Sequence, residues 1–239
     1  MLLVTAEPMA FPVTIGAGDA PRSSTWSSAG AHARVDSYAL GKRFLDIVAA
    51  AVLLLALLPV FVVVAVAICL DSGWPFIYCA ERVGRNGRSF CCLKFRSMRA
   101  NSDPNPHVAF VQSLMRDAAN CSVYKVPCDR RVTRVGAFLR RTSLDELPQL
   151  WNILRGEMSL VGPRPDVTYA LADYADWMHD RLTVKPGLTG LWQVSGRSRL
   201  SLLDMYRLDV AYAKEASLRL DLSILIRTVP VVLGRDGAA

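Results

Sequence analysis

A run of 24 uncharged residues, from Ile47 to Leu70, constrains the fold of this chain more than any other feature. At about 1.5 Å per residue, a helix of this length would cross a bilayer core of about 30 Å. Pro59 stands at the middle of the run, where a proline removes a backbone hydrogen bond and bends or breaks a helix. The run therefore predicts a membrane segment that is broken near Pro59.

The charged residues that flank this run indicate on which side of a membrane its two ends would lie. Basic residues precede it at Arg34, Lys42 and Arg43, and six more follow between residues 82 and 99. Because basic flanks prefer the cytoplasmic side, both ends are expected on one face of the membrane. The pattern favours a re-entrant helix-break-helix, and a simple transmembrane helix remains the alternative.

The remaining patterns predict an α+β fold that is mainly helical. Short β-like segments around the turn signals Gly84 and Asn86-Gly87 predict a small β-hairpin between Tyr78 and Met98. The end of the chain, from Leu218, predicts an amphipathic interfacial helix or, alternatively, a segment packed on the core. Other helices are expected over residues 107–120, 133–160, 166–180 and 200–215.

Three segments follow from these patterns. Residues 1–38, rich in Ala, Ser, Gly, Pro and Thr, predict a disordered cytosolic tail. Residues 39–77 hold the re-entrant helix, and residues 78–239 form a compact cytosolic domain that would carry any catalytic site.

Charge and cysteine content narrow the class of protein only partly. A net charge of +7 suits nucleic acid, anionic lipid or a small anionic substrate. No recognised nucleic-acid-binding motif accompanies the charge, so nucleic acid is not expected as a partner. The six cysteines form no Cys-x-x-Cys pair and the three histidines are scattered, which disfavours zinc and predicts reduced thiols.

Two adjacent carboxylates, Asp145 and Glu146, follow directly on a basic run that ends at Arg140 and Arg141. A capping box from Ser143 to Glu146 at a helix N-terminus would explain the pair structurally. Arginines beside the pair would also attract phosphate oxygens, while one carboxylate attacks phosphorus and its neighbour holds Mg²⁺. On local pattern alone, capping is the better explanation.

A second candidate for phosphate binding is Arg164, which stands between two prolines. Flanking prolines stiffen the loop, and a guanidinium held in this way suits bidentate recognition of phosphate. A surface turn with an incidental arginine is the simpler interpretation. Lys94 and Arg96 form a basic exit from the predicted hairpin, which is also typical of a solvated face or of a patch that meets lipid headgroups.

Five motifs follow one another along the chain and together resemble a known family. They are Arg82-Val-Gly84, Lys94-Phe-Arg-Ser-Met98, residues 133–150 with Asp145-Glu146, Gly156 to Pro165, and Pro186 to Arg197. They resemble the bacterial sugar transferases, small monotopic polyprenyl-phosphate phosphoglycosyltransferases. The resemblance covers about residues 41–235 and is strongest for the undecaprenyl-phosphate galactose or glucose phosphotransferase type.

This resemblance implies an enzyme on the cytoplasmic face of the bacterial inner membrane, with a re-entrant helix broken at Pro59. Such an enzyme transfers a hexose 1-phosphate, galactose or glucose, from a UDP-sugar to undecaprenyl phosphate. The products are an undecaprenyl-diphosphate sugar and UMP, and the reaction is the first membrane step of exopolysaccharide biosynthesis.

The resemblance also assigns roles to residues. Asp145 would attack the β-phosphorus and carry the phosphosugar covalently, and Glu146 would assist through Mg²⁺, which the two carboxylates would hold. Phosphate oxygens would be held by basic residues of the same motifs: Arg164, Arg140, Arg141, Lys94 and Arg96. The competing hypothesis is a basic membrane adaptor without catalysis, which would explain the charge and the apolar run but not the acidic pair.

Overall fold

The apolar run forms two helices joined at a sharp bend. The computed structural model describes the backbone of residues 28–99 and 131–234, with side chains from Ser37 onward. Helix α1 spans Ser28–Ala56 and helix α2 spans Leu58–Ser72, with a bend of 61° between them. Pro59 lies in the first turn of α2, where its missing N–H leaves no bond unmade, so the predicted break is confirmed.

Most large apolar side chains of α1 and α2 are exposed, including Leu55, Val63 and Leu70. Within the described ranges, no single helix is long and apolar enough to cross a membrane. The two helices together meet that test by length and composition, either as a broken span or as a re-entrant loop. Helix α1 begins at Ser28, inside the predicted tail, and residues 1–27 of that tail lie outside the described residues.

Charged side chains near the start of the apolar run attach α1 to the rest of the molecule. The Arg43 guanidinium donates to the carbonyls of Ile153 and Leu154, at 2.6 and 2.7 Å. The Asp46 carboxylate is buried and accepts bonds from the hydroxyl of Ser159 and the backbone N–H of Leu160, at 3.0 and 2.9 Å. These contacts make α1 part of the packed core, since they satisfy backbone groups of the elements that it covers.

The predicted hairpin is confirmed as strands β1 (Ile77–Val83) and β2 (Ser89–Phe95). They pair antiparallel, with Tyr78 opposite Lys94, and Asn86 adopts the left-handed conformation in the turn. A disulfide joins Cys79 to Cys91, so the expectation of reduced thiols throughout is wrong for this pair. The reason is geometric, because pairing of the two strands brings the two Cα atoms to 5.3 Å.

The region predicted as one interrupted helix over 133–160 divides into several elements. These are α3 (Arg134–Thr142), a 3₁₀ turn (Leu144–Glu146), α4 (Gln149–Arg155) and strand β3 (Ser159–Val161). Asn152 of α4 is fully buried, and its amide bonds the N–H of Leu93 and the carbonyl of Cys91. Helix α4 therefore supplies hydrogen-bond partners to backbone groups along one edge of β2. Leu150 and Ile153 of the same helix lie in the hydrophobic core.

Strand β3 pairs in parallel with β4 (Gly187–Thr189), a two-stranded sheet that the sequence patterns do not predict. The chain passes from β3 into Gly162-Pro-Arg-Pro, and this loop lies against the start of β4. A Cβ atom on Gly162 would collide with the backbone at Lys185 and Gly187, so the close approach requires glycine there.

The second half is helical around this small sheet. Two 3₁₀ segments, Thr168–Asp173 and Asp176–Thr183, replace the helix expected over 166–180. Helices α5 (Leu191–Ser195), α6 (Leu202–Glu215) and α7 (Leu218–Leu233) complete the fold, separated in part by a 3₁₀ turn at Arg197–Arg199. The expected helix over 200–215 is confirmed as α6, whereas the one over 107–120 lies outside the described residues.

A mainly helical α+β fold with a small antiparallel hairpin is therefore confirmed. Helix α7 carries exposed apolar side chains at Leu222, Ile226 and Val229, while Ile224 and Asp221 on another face are buried. The amphipathic character expected for the end of the chain is present, since polar bonds and core packing occupy one side only.

Candidate active site

Asp145 and Glu146 lie in a tight turn between α3 and α4. Ser143 ends α3 in the left-handed conformation (φ 57°), and a 3₁₀ turn follows over Leu144–Glu146. The Ser143 side chain makes no cap bond and Pro148 precedes the first residue of α4, so the capping-box interpretation is wrong. The turn instead projects two neighbouring carboxylates from one point between two helices.

Two cationic side chains bond the carboxylate of Glu146. The Arg164 guanidinium contacts both of its oxygens, with Nη2 2.5 Å from Oε1 and Nη1 3.2 Å from Oε2. The Lys94 ammonium, from β2, donates to Oε1 at 3.0 Å. Only 15% of the Glu146 side chain is exposed, so the three bonds are partly shielded from water. The hairpin, the turn after α3 and the Pro-Arg-Pro loop thus meet at one carboxylate.

Asp145 differs from its neighbour. Among the described residues, its carboxylate makes no hydrogen bond or ion pair, although the side chain is half-buried. Both oxygens are therefore available to an incoming group. A carboxylate with unshared lone pairs next to cations is the arrangement that nucleophilic attack on phosphorus requires.

The pKa values of the two carboxyl groups move in opposite directions. Burial raises the pKa of Asp145 above its usual value, and the neighbouring charge of Glu146 raises it further against the opposing pull of nearby cations. Burial would also raise the pKa of Glu146, but the charges and bonds of Arg164 and Lys94 outweigh it and hold that pKa well below the usual range. Glu146 is therefore a permanent anion, whereas Asp145 titrates at a higher pH than an exposed aspartate.

Three of the five predicted phosphate-binding residues lie near the pair. Lys94 and Arg164 contact Glu146 directly. Arg140, in the last turn of α3, donates from Nε to the Ser97 hydroxyl at 2.8 Å, and its charge acts on the pKa of Asp145. These three cations surround the carboxylates from the hairpin, the proline-flanked loop and α3.

The structure does not bring the other two candidates to the carboxylates. Arg141 is exposed, next to Arg140 on α3. The Arg96 guanidinium is buried and donates to the carbonyls of Ser72 and Gly73 at the end of α2. It ties β2 to the helix pair, which is a structural use of a side chain that the sequence pattern assigned to phosphate.

A magnesium ion fits the donor set in one respect. In the part of the chain that the structure describes, no group of three or more His, Cys, Asp or Glu side chains could enclose a metal. Mg²⁺, however, is commonly bound by one or two carboxylates together with substrate phosphates and water. Asp145 and Glu146 supply that minimal protein contribution, because Asp145 retains unpaired oxygens.

A buried network behind Arg164 was not anticipated from the sequence. Arg181 bonds the Arg164 carbonyl, Asp166 and Asp209, while Tyr206 also donates to Asp166. No motif marks Arg181 or Asp209 in the sequence. Asp166 does carry a signal, since it follows the Pro-Arg-Pro segment directly.

The sequence matches a known protein family over most of its length. A sequence model of the family described as "Bacterial sugar transferase" matches residues 37–235, which include α1 from Ser37 onward, every later element up to α7 and all of the site. The chain belongs to the bacterial sugar transferase family. The resemblance inferred from the five sequence motifs is confirmed.

Several curated members of this family are similar in sequence. The chain is 48% identical over 197 residues to the UDP-galactose-lipid carrier transferase of Erwinia amylovora, covering 82% of this chain and 41% of that protein. It is 43% identical over 195 residues to the exopolysaccharide production protein ExoY of Rhizobium meliloti, covering 81% and 85%. It is 42% identical over 208 residues to the UDP-glucose:undecaprenyl-phosphate glucose-1-phosphate transferase of Caulobacter vibrioides, covering 83% and 72%.

The matched proteins fall into two length classes. This chain spans about two fifths of the Erwinia protein, and a similar share of the undecaprenyl-phosphate galactose phosphotransferase of Salmonella typhimurium, to which it is 44% identical over 197 residues. It covers 85% of the ExoY protein.

Proposed function

We propose that this protein transfers a hexose 1-phosphate from a UDP-sugar to undecaprenyl phosphate in exopolysaccharide synthesis. Relatives named as galactose and glucose phosphotransferases acting on undecaprenyl phosphate support this reaction class. The observation that carries the proposal is the pairing of an unbonded carboxylate, Asp145, with the neighbouring carboxylate Glu146 held by Arg164 and Lys94.

In the first step, a carboxylate oxygen of Asp145 attacks the β-phosphorus of the UDP-sugar. A new P–O bond forms to Asp145, the bond from that phosphorus to the bridging oxygen breaks, and UMP leaves with the bonding electron pair. The step needs an ionised Asp145, and its free oxygens require no rearrangement of existing bonds.

In the second step, a phosphate oxygen of undecaprenyl phosphate attacks the phosphorus of the Asp145-bound phosphosugar. The P–O bond to Asp145 breaks, the carboxylate is regenerated and the undecaprenyl-diphosphate sugar is released. One phosphoanhydride replaces another, so the protein has chiefly to place groups and to neutralise charge.

Arg164, Lys94 and Arg140 are the groups that would neutralise this charge. Arg164 and Lys94 hold Glu146 in the absence of substrate, and they offer further N–H donors to phosphate oxygens because a guanidinium has five and an ammonium has three. Arg140 reaches the same region from α3. Arg141 and Arg96 remain candidates from sequence only.

Asp145 and Glu146 are also the residues that would hold Mg²⁺, together with phosphate oxygens of the substrate. A bound Mg²⁺ would offset negative charge on the transferring phosphoryl group and the leaving UMP. Glu146, whose pKa is held well below the usual range by Arg164 and Lys94, would keep these cations close to Asp145 and would share in holding the metal.

The bent pair of α1 and α2 supports a re-entrant anchor on the cytoplasmic face of the inner membrane. The bend of 61° near Pro59 and the basic side chains on both sides of the apolar run favour entry and exit by the same face. A lipid acceptor would then present its phosphate on the side of the membrane where the UDP-sugar is found.

The decisive experiment measures UMP release by purified full-length protein in detergent, with Mg²⁺, undecaprenyl phosphate and a panel of UDP-sugars. We expect release with UDP-galactose or UDP-glucose, and loss of release with Asp145→Asn. Asp173→Asn is the matched control, because Asp173 is exposed and makes no hydrogen bond or ion pair among the described residues.

Two outcomes would contradict the proposal. Wild-type activity in Asp145→Asn would remove the nucleophile assignment. Absence of UMP release with every UDP-sugar, combined with salt-sensitive lipid binding that does not depend on Asp145, would favour the basic membrane adaptor.

A further inference from the structure

The side chain with the most bonds behind the candidate site is Arg181, from the 3₁₀ segment Asp176–Thr183. Only 3% of the residue is exposed. Nε and Nη2 bond Asp209 Oδ2 at 3.1 and 2.6 Å, and Nη1 bonds the Tyr174 hydroxyl at 2.6 Å and Asp166 Oδ2 at 3.3 Å. The guanidinium is thus fixed from three directions.

One further bond leads out of this cluster to the site. Arg181 Nη2 donates to the backbone carbonyl of Arg164 at 2.7 Å. The side chain of the same Arg164 is the bidentate partner of Glu146. One residue therefore lies between the buried cluster and the carboxylate beside the proposed nucleophile.

The rest of the Pro-Arg-Pro loop is held by backbone bonds from β4. Gly187 N–H donates to the Pro163 carbonyl at 2.8 Å, and Gly162 N–H donates to the Thr189 carbonyl at 2.9 Å. These bonds fix the loop before Arg164. On the other side, the Asp166 carbonyl accepts from the N–H of Val83 at 2.9 Å. Among the described residues, Arg181 is the side chain that bonds the main chain of Arg164 itself.

An arginine suits this position for geometric reasons. Its planar fork can donate at once to a carboxylate, a hydroxyl and a carbonyl that lie in different directions. A lysine would keep the positive charge opposite Asp209 but offers donors from a single point. It could not maintain the bond to the Arg164 carbonyl together with the bonds to Tyr174 and Asp209.

We infer that Arg181 is a positioning residue, which orients the Arg164 main chain so that its guanidinium faces Glu146 and the substrate phosphate. This role rests on the proposed function, because the phosphate is that of the proposed substrate. Arg181 itself touches no reacting atom. The alternative is a purely structural role, in which Arg181 only neutralises Asp166 and Asp209 inside the fold.

The first test compares Arg181→Lys with Tyr174→Phe. The lysine variant loses the bond to Arg164, whereas the phenylalanine variant loses a bond within the same cluster and leaves the bond to Arg164 in place. We expect Arg181→Lys to lower kcat for UMP release about 100-fold, the loss that a misplaced group of this kind can cause. Tyr174→Phe should retain near wild-type kcat at a comparable loss of thermal stability.

A double-mutant cycle separates positioning from general damage. If Arg181 acts through Arg164, then Arg181→Lys should lower kcat by little in an Arg164→Lys background, because the geometry that it controls is already lost. A further loss as large as that in the wild-type background would overturn the inference. So would parallel losses of kcat and stability in Arg181→Lys and Tyr174→Phe.

A measurement that does not require enzyme turnover tests the role of Arg181 independently of the proposed function. Phenylglyoxal modifies exposed guanidinium groups, and modification of Arg164 can be followed by peptide mass spectrometry. Arg164 is 30% exposed and held by Glu146, so we expect slow modification in wild type and in Tyr174→Phe, and several-fold faster modification in Arg181→Lys.

Equal rates of Arg164 modification in all three proteins would overturn the positioning role even if the enzyme releases UMP. Conversely, a wild-type protein that releases no UMP from any UDP-sugar would remove the proposed function. The modification rates would then still decide whether Arg181 orients Arg164.

Discussion

Arg164 lies between two clusters of carboxylates and cations, which differ in how far their hydrogen bonds are completed. Behind it, Arg181 is buried and each of its nitrogens has a partner in Asp166, Tyr174, Asp209 or the Arg164 carbonyl. In front of it, Asp145 is half-buried and unbonded among the described residues. The buried cluster stabilises the fold through Arg181, although Asp209 Oδ1 has no hydrogen-bond partner among the described residues. In front of Arg164, the whole Asp145 carboxylate is left without a bond in the described ranges, as the proposed reaction requires.

The largest expected effect concerns the unbonded carboxylate. Asp145→Asn keeps the shape of the side chain but removes the nucleophile, so UMP release should fall by a factor on the order of 10⁴ or more. Because Asp145 makes no bond among the described residues, the melting temperature in detergent should not fall. Mass spectrometry of protein incubated with UDP-sugar alone should show a phosphosugar adduct in wild type and none in the variant.

If Asp145→Asn unfolds the protein, Asp145 has a structural role, and the contrast between the two clusters fails. A phosphosugar adduct that persists in Asp145→Asn would place the nucleophile elsewhere.

The buried cluster around Arg181 should respond in the opposite way. Arg181→Ala leaves the Asp209 carboxylate buried without a cation, so we expect a loss of about 3–5 kcal/mol in the free energy of unfolding. Arg207→Ala is the matched control, since Arg207 pairs with Asp204 on the exposed side of α6 with 66% of its side chain exposed. It should change the free energy of unfolding by less than about 1 kcal/mol. Denaturant titration in detergent measures both, and equal losses would contradict the distinction.

The acid limb of the pH–rate profile tests the pairing of Asp145 with Glu146. In the proposed reaction Asp145 attacks as the carboxylate, and its pKa is raised, so activity should be lost as the pH falls through a value above that of an exposed aspartate. Glu146 cannot produce this limb, because its pKa is far too low.

Glu146→Gln provides the test within this profile. The substitution removes the like charge that raises the pKa of Asp145 and releases Arg164 and Lys94 to act on it. The acid limb should therefore move to lower pH, while the rate on the plateau falls because Arg164 loses its anchor. An acid limb that stays in place would show that a group other than Asp145 controls it.

The smallest expected effect comes from Tyr174→Phe in the buried cluster around Arg181. The hydroxyl donates to Asp166 at 2.8 Å and accepts from Arg181, so its removal should destabilise the protein by about 1–2 kcal/mol with near wild-type kcat. A loss of kcat in Tyr174→Phe as large as that in Arg181→Lys would contradict the positioning role inferred for Arg181.

The sequence predicts those parts of the fold that depend on local backbone chemistry. Pro59 within an apolar run predicts the break between α1 and α2, because a proline cannot donate a helical bond. Asn86-Gly87 predicts the hairpin turn, since both residues tolerate positive φ, and both adopt it. The polar start and periodic pattern of α6 predict that helix.

Elements that depend on contacts distant in sequence were not predicted. The parallel pairing of β3 with β4 joins residues 159–161 to 187–189, and each strand is only three residues long. The capping box failed because Ser143 ends one helix instead of starting another. Arg96 matched a basic motif, yet the carbonyls that it satisfies at the end of α2 become neighbours only after folding.

The residues of the site, like the elements of the fold, divide into those that a local sequence pattern predicts and those that depend on contacts distant in sequence. The motif containing Asp145 and Glu146 identifies the carboxylate pair of the candidate site, and Pro-Arg-Pro identifies Arg164. No sequence pattern shows that Arg164 would hold Glu146 and leave Asp145 unbonded, because that choice depends on where β2, β3 and the turn after α3 meet. Arg181 was missed for the same reason.

The bonds that Asp46 accepts from Ser159 and Leu160 have a consequence for the height of the site above a membrane. They join the start of the apolar helix to β3, and only a few residues separate β3 from Arg164. In the proposed re-entrant arrangement, the level of the proline-flanked loop above the lipid tails would therefore be set by how deeply α1 is immersed. The proposed lipid acceptor would need only to hold its phosphate at headgroup height, and the sugar nucleotide, which diffuses in water, would meet it at that single level.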